Sequence, residues 1–158
     1  MSTESERFVT RMYQLIREQW IPKPMDEAFA FFSRPENLEE ITPPWLGFRI
    51  VRTGKQLHAG SLINYKLRIH GLPMRWTSEI TVWEPPYRFV DTQLRGPYKL
   101  WRHEHSFREQ NRGTLIRDHV DYALPFGIFG EIAHKLMVRR DVETIFKFRR
   151  QRLEQLLG

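Results

Sequence analysis

Residues 75–124 read RWTSEITVWEPPYRFVDTQLRGPYKLWRHEHSFREQNRGTLIRDHVDYAL, four strand-like segments in which aromatic and polar side chains recur. The aromatic members are Trp76, Phe89, Tyr98, Trp101, Phe107 and Tyr122. The polar members, at alternate positions along the same strand-like segments, are Asp91, Gln93, His103, His105 and Asp118. Alternate residues of a strand point to one face, so these polar groups share an aromatic interior. A buried polar group without a partner costs about 1–3 kcal/mol. The pattern therefore favours a lined cavity over an ordinary core.

Alternation with a period of two begins upstream, at Leu46, and predicts six strands in one antiparallel meander. Glycine and proline interrupt it at hairpin spacing. The breaks are Gly54, Gly60, Gly71-Leu72-Pro73, Pro85-Pro86, Gly96-Pro97 and Asn111-Arg112-Gly113.

The segment before the meander predicts one strand and two short helices. Phe8 to Ile21 is rich in aromatic and β-branched residues and ends at Pro22, which indicates a strand. Pro24 to Phe32 begins with a proline suited to the first turn of a helix. A second helix, Pro35 to Ile41, must end before the prolines that follow.

After residue 127 the apolar period becomes helical and predicts one helix of about 30 residues. Its apolar stripe consists of Phe129, Ile132, Ala133, Leu136, Met137, Val142, Ile145, Phe146, Leu153, Leu156 and Leu157. Such a helix must lay this stripe on the sheet. We therefore expect an α+β arrangement: a curved seven-stranded antiparallel sheet, with two short helices after strand 1, wrapped around a long C-terminal helix.

The net charge of +6 is compatible with nucleic-acid binding, but the distribution of the basic residues along the chain argues against it. Seven basic residues fall on the last helical segment: Lys135, Arg139, Arg140, Lys147, Arg149, Arg150 and Arg152. We interpret them as a solvated helix face, with an anionic partner surface as the alternative. No nucleic-acid docking motif is present.

At 158 residues the chain has the size of one domain, 1–158. It has no cysteine, so neither a disulfide nor a thiolate metal site is available. No apolar run reaches membrane-spanning length, and Met1 to Arg7 lacks the apolar stretch of a signal peptide. We expect a soluble, cytoplasmic protein without stable membrane insertion.

The His103-x-His105 pair places two imidazoles on one strand face. Three roles stay open: hydrogen bonds to Asp118 or Asp91 that hold strands together, a polar patch that contacts a ligand, or a metal site. A metal would need a third ligand from Asp91, Asp118 or Glu79. We predict no metal site.

An Asp–His couple in an apolar cavity can serve as acid or base near neutral pH, because burial raises and a nearby imidazolium lowers the carboxyl pKa. His103, His105, Asp91 and Asp118 are the candidate catalytic residues, suited to dehydration or aldol-type cyclisation. The alternative is a set of satisfied structural pairs.

Candidate ligand-binding residues combine this polar set with the aromatic interior and the helix. They are Tyr65, Trp76, Ser78, Gln93, Trp101, His103, His105, Phe107, Asp118, Tyr122, Phe129, Ile132 and Met137. Their apolar members can equally be plain core. Residues 124–130, with glycines on both sides of Ile128-Phe129, form either a flexible gate or an ordinary connector.

The chain resembles the SRPBCC superfamily, the helix-grip proteins that include START lipid-transfer domains, pollen-allergen proteins and polyketide cyclases. The residues that carry the resemblance are Trp20-Ile21-Pro22 with Pro24, Phe29 and Phe31-Phe32, Pro35-Glu36-Asn37-Leu38, Ile41-Thr42-Pro43-Pro44, Trp76-x-Ser78-x-Ile80, Phe89-x-Asp91-x-Gln93, Gly96-Pro97-Tyr98, Trp101-x-His103-x-His105-x-Phe107 and Asp118-x-Val120-x-Tyr122-x-Leu124-Pro125. It is similar in particular to bacterial members related to cyclases and dehydrases. Members place unrelated chemistry in the same cavity.

Two functions follow as expectations. The preferred one is a binding module that holds an apolar or aromatic small molecule, lipid- or polyketide-like, between sheet and helix, without a cofactor. The alternative is a cyclase or dehydratase, in which replacing His103 by Ala abolishes turnover while binding survives. In a third, weaker hypothesis the basic helix binds anionic membranes or a partner protein.

The sequence has no cysteine nucleophile and no G-x-S-x-G, phosphate-loop or dinucleotide-binding signature. The oligomeric state stays open.

Overall fold

A computed structural model describes residues 10–158 of the chain. Its centre is one antiparallel sheet of seven strands in the order β1-β7-β6-β5-β4-β3-β2. The strands are β1 (Met12–Ile21), β2 (Arg49–Arg52), β3 (Leu62–Ile69), β4 (Leu72–Glu84), β5 (Arg88–Arg95), β6 (Leu100–Gln110) and β7 (Gly113–Ala123). The predicted helix-grip fold is confirmed: strands β2 to β7 form a meander, and β1 closes the order beside β7.

Two short helices connect β1 to β2. Helix α1 spans Met25–Phe32 and helix α2 spans Pro35–Glu40, followed by a 3₁₀ turn at Pro44–Leu46. Pro24 caps α1 rather than lying in its first turn, and α2 ends one residue before the predicted Ile41. The predicted start of β1, Phe8 and Val9, and the expectation for Met1 to Arg7 lie outside the described residues.

The C-terminal helix runs from Ile128 to Leu157 in three parts. Helix α3 (Ile128–Ala133) continues through a π turn (His134–Val138) into helix α4 (Arg139–Leu157). Helix α4 buries Val142, Phe146, Arg149 and Leu153 against the sheet. Among residues 10–158, no helix combines the length and the apolar composition needed to cross a bilayer.

The prediction of one continuous apolar stripe along this helix is wrong at its start. Phe129 and Ile132 are 75% and 51% exposed, whereas Phe146 is buried. The π turn explains the difference, because its wider turn shifts the helical phase and the residues on either side of it no longer share one face.

The connector between β7 and the helix is an ordered turn. Phe126 and Gly127 both adopt positive φ, and Gly127 caps the first turn of α3. Gly130 packs so closely that a Cβ there would clash with the Pro125 carbonyl oxygen. This geometry is that of a connector, and gating by residues 124–130 stays a prediction.

Candidate functional site

A cavity of about 800 Å³ lies between the curved sheet and the C-terminal helix. Aromatic side chains of β3, β4 and β6 form one wall. Tyr65 stacks on Trp76 with ring centroids 5.7 Å apart, and Trp101 meets Trp76 edge-on at 5.4 Å. Met74 of β4 and Phe146 of α4 also line the space.

Five polar side chains from four elements meet beside this cavity, and we name them the polar cluster: Asp91, His103, His105, Asp118 and Arg149. Strand register brings the first four together, because Asp91 lies opposite His103 across β5 and β6 and His105 lies opposite Asp118 across β6 and β7. Arg149 reaches the same place from the buried face of α4.

The Asp118 carboxylate is the centre of the polar cluster. Its Oδ1 lies 2.8 Å from His103 Nε2, 3.2 Å from His105 Nδ1 and 3.1 Å from Arg149 Nη2. On the other side of His105, its Nε2 lies 2.7 Å from Asp91 Oδ2. The two imidazole rings stack with centroids 3.7 Å apart. The cluster is therefore one connected network rather than separate pairs.

Both carboxylates remain ionised although they are buried. Burial opposes ionisation of Asp118, but the Arg149 charge and hydrogen bonds from His103 and His105 hold the pKa of its carboxyl well below the usual value. Burial also works against Asp91, yet its hydrogen bond with His105 and the charges of His103, His105 and Arg149 lower its pKa.

The pKa values of the two histidines shift in opposite directions. Burial and the His105 charge lower the pKa of His103 to about 4. Burial would also lower the pKa of His105, but hydrogen bonds to Asp118 and Asp91 raise it overall. At neutral pH His103 is therefore neutral and His105 is the imidazole that holds a proton more readily. A cationic His105 with Arg149 balances the two carboxylates, which makes the buried charges tolerable.

Asp91, His103 and His105 also have the spacing of a metal site, since one ligand atom from each lies within 4.8 Å of the others. Arg149 opposes a cation there, because its Nη2 lies 3.2 Å from Nδ1 of His105. The Nε2 atom of His105 is also hydrogen-bonded to Asp91 already. The donor set suits hydrogen bonding better than metal coordination.

Several candidate ligand-binding residues do line the cavity. They are Tyr65, Trp76, Ser78, Trp101, His103, His105 and Met137, together with Asp91. Ser78 accepts a hydrogen bond of 3.0 Å from Trp76 Nε1, so these two polar groups are mutually satisfied.

Six candidates lie elsewhere, which corrects their expected place on the cavity wall. Gln93 holds the β5–β6 turn through both of its amide atoms, which bond the backbone of Tyr98. Phe107 packs in the core against Phe29 and Phe32. Asp118 lies behind the two histidines, since its oxygen is occupied by His103, His105 and Arg149.

The other three belong to a different region. The hydroxyl of Tyr122 bonds His134 Nε2 at 2.7 Å, beside a second, open pocket on the β1 side of the sheet. Ile132 borders that second pocket, and Phe129 lies on the surface. The shifted helical phase before α4 moves both residues away from the main cavity.

Arg149 is the functional candidate that the sequence interpretation missed. It is only 6% exposed, so its assignment to a solvated basic face is wrong. The signal was present, because Val142, Phe146, Arg149 and Leu153 follow the spacing of one helix face and Arg149 replaces an apolar residue in that stripe.

Comparisons with known proteins agree with this architecture. The model of the polyketide cyclase / dehydrase and lipid transport family matches residues 21–145. No curated protein matches the chain in sequence.

Solved structures share its fold at low identity. The ginseng major latex-like protein 151 of Panax ginseng is 15% identical with a TM-score of 0.68, over 93% of this chain and 98% of its own. TTHA0849 of Thermus thermophilus is 20% identical with a TM-score of 0.66, over 92% and 100%. CV1439 of Chromobacterium violaceum is 11% identical with a TM-score of 0.71, over 92% and 97%. The expected resemblance to SRPBCC proteins is confirmed, and the chain belongs to the polyketide cyclase / dehydrase and lipid transport family.

Proposed function

We propose that the protein binds a hydrophobic or aromatic small molecule, lipid- or polyketide-like, in the cavity between the sheet and the C-terminal helix. The observation that carries the proposal is the cavity itself, which has about 800 Å³ and an aromatic wall. Pockets for small molecules typically have about 300–1,000 Å³, a mostly apolar lining and a few polar groups. Family and fold are consistent with ligand binding in a hydrophobic cavity.

Burial of apolar surface supplies the affinity. At about 25 cal/mol per Å², a ligand that buries about 300 Å² gains about 7.5 kcal/mol before the entropic costs of binding. The aromatic wall needs little rearrangement, since Tyr65, Trp76 and Trp101 already fix one another through ring contacts. A preformed wall keeps the cost of ordering the site small.

The test uses N-phenyl-1-naphthylamine, an uncharged aromatic dye that fluoresces when it leaves water. We expect saturable binding of one dye per chain. Replacement of the cavity residue Met74 by Trp fills the space and should weaken dye binding at least about tenfold, which corresponds to about 1.4 kcal/mol.

The matched control is Met12→Trp, at an exposed methionine of β1. This variant should bind the dye as the wild-type protein does. Equal dye binding by the wild type and Met74→Trp, or no saturable binding by the wild type, would contradict the proposal.

An acid–base catalyst is the second candidate, because Asp91 and His105 line the cavity and lie 2.7 Å apart. His103 suits this role less, since a group with a pKa of about 4 is a weak base at neutral pH. The test is exchange of the methyl protons of 2-acetylnaphthalene in deuterium oxide, followed by NMR. Catalysis predicts accelerated exchange that His105→Gln removes and His119→Gln retains, whereas exchange at the rate of buffer excludes it.

A further inference from the structure

We propose that the ligand carries a carboxylate and that Arg149 recognises it. This inference rests on the proposed function and names the chemical class of its ligand. Its starting point is the position of Arg149, whose side chain lines the cavity from α4 although the residue is only 6% exposed. A charge buried to this degree costs several kcal/mol unless its hydrogen bonds are met.

The hydrogen bonds of Arg149 are not all met. A guanidinium carries N–H donors on all three of its nitrogens, a pair on each Nη atom and a single one on Nε. Within residues 10–158, Arg149 donates from Nη2 to Asp118 Oδ1 at 3.1 Å. Nη2 also lies 3.2 Å from His105 Nδ1, but that nitrogen donates its own proton to Asp118 when His105 is cationic and so cannot accept one from Arg149. Nε is buried and has no hydrogen-bond partner in the part of the chain that the structure describes. The contact with Asp118 therefore uses one oxygen and one nitrogen, not the two-point fork that arginine offers a carboxylate.

Two aromatic rings border the guanidinium where it lines the cavity. The rings of Phe32 and Phe146 flank it, with its central carbon 5.1 Å and 5.8 Å from their centroids. Both phenylalanines line the cavity themselves. Neither ring offers a hydrogen-bond acceptor, so a further acceptor for the guanidinium has to come from the contents of the cavity.

The other polar groups of the wall explain why the acceptor should be anionic. Ser78 is occupied by the Trp76 indole, and the carboxylates are held by the histidines. Arg68 and Arg140 border the cavity as further cations with exposed side chains. A planar carboxylate fits an arginine with free donors better than any neutral group does.

The test compares 2-naphthoic acid with its methyl ester at neutral pH by isothermal titration calorimetry. The two molecules share their aromatic body and differ in the charge. We expect the acid to bind the wild-type protein at least about tenfold more tightly than the ester, or about 1.4 kcal/mol. A cavity without an anion-binding group would prefer the ester, because its carbonyl costs less to remove from water.

Arg149→Lys tests the residue itself. Lysine keeps a cation beside Asp118 but loses the planar fork, so the preference for the acid should fall at least about fivefold while the affinity for the ester stays within about twofold. Arg150→Lys, at the exposed neighbour on α4, should retain the wild-type preference.

The outcomes separate this inference from the proposed function. If the ester and the uncharged dye bind but the acid binds no more tightly than the ester, the carboxylate assignment is overturned and the cavity proposal stands. If none of the three molecules binds, the cavity proposal fails. Should Arg149→Lys not fold, the comparison of acid and ester on the wild-type protein still decides.

Discussion

At the scale of single residues, the polar cluster is a set of buried charges that depend on one another. Asp118 accepts hydrogen bonds from both histidines and pairs with Arg149. Each member therefore compensates for the desolvation cost of its neighbours. Removal of one member leaves its partner buried and unpaired, which costs more than the pair itself contributes. The stability of this region therefore rests on completeness of the network rather than on any one contact.

Asp118→Asn should lower the free energy of unfolding by about 3–5 kcal/mol, because it removes the carboxylate that pairs directly with the buried Arg149 guanidinium. Urea unfolding followed by circular dichroism measures the change. Asp121→Asn is the matched control on β7: Asp121 is only partly buried and bonds the side chains of Gln14 and His119, so we expect a loss of at most about 1 kcal/mol. Similar losses for both variants would contradict the assigned role of Asp118.

The pH dependence of stability should report the low pKa of His103. Its pKa is about 4 in the folded protein, against 6.5 for a free imidazole, so the unfolded chain takes up the proton first as the pH falls. The contribution of His103 is therefore fully present above pH 6.5 and is lost as the pH falls towards 4. The pKa difference corresponds to a loss of roughly 3 kcal/mol.

The raised pKa of His105 acts in the opposite direction. Its contribution is present below the unfolded pKa and is lost as the pH rises through the folded value. The variant His103→Gln isolates the first effect, because it should flatten the acid limb of the urea-unfolding profile. An acid limb with the wild-type slope in His103→Gln would show that His103 does not carry it.

Residue-level prediction from the sequence reached four of the five cluster members. Strand alternation placed Asp91, His103, His105 and Asp118 together, because register follows from hairpin spacing and side chains alternate strictly. Arg149 escaped because a basic residue in a helix rich in lysine and arginine is usually solvated. The helical spacing places Arg149 on the face of Val142, Phe146 and Leu153, but its counter-charge, Asp118, lies 31 positions away and is not part of that local pattern.

At the scale of elements, the C-terminal helix divides at its π turn into two parts with different roles. Helix α4 supplies the buried face of Val142, Phe146, Arg149 and Leu153. The part before Arg139 presents exposed apolar side chains, among them Phe129 and Leu136. Periodicity predicted the length and the burial of the second part, but a π turn adds one residue to a turn without a sequence signature of its own.

Two phenylalanines on this helix should therefore differ sharply in what they contribute. Phe146→Ala should lower the free energy of unfolding by about 3–5 kcal/mol, since it removes a buried ring that contacts His103 and Arg149. Phe129→Ala should change it by at most about 0.5 kcal/mol, because Phe129 is largely exposed. Paired urea titrations measure both. Equal destabilisation would mean that the apolar stripe continues through the π turn after all.

At the scale of the whole molecule, the strand order explains why a cavity forms at all. The sheet runs from β1 to β2 through five intervening strands, and the cavity lies between this sheet and the C-terminal helix. Helices α1 and α2 close one end, where Phe29 and Phe32 pack on Phe107. The space of about 800 Å³ left beside α4 lacks the contacts of a close-packed interior.

A ligand that occupies this space should therefore stabilise the whole fold, because it binds the native chain and not the unfolded one. At tenfold excess over its dissociation constant, N-phenyl-1-naphthylamine should add about 1.4 kcal/mol, which raises Tm by roughly 3–6 °C for a chain of this size. Thermal unfolding followed by circular dichroism measures the shift. Met74→Trp should lose most of the shift at the same dye concentration, and Met12→Trp should retain it. A Tm rise of equal size in both variants would place the dye outside the cavity, because only one of them fills that space.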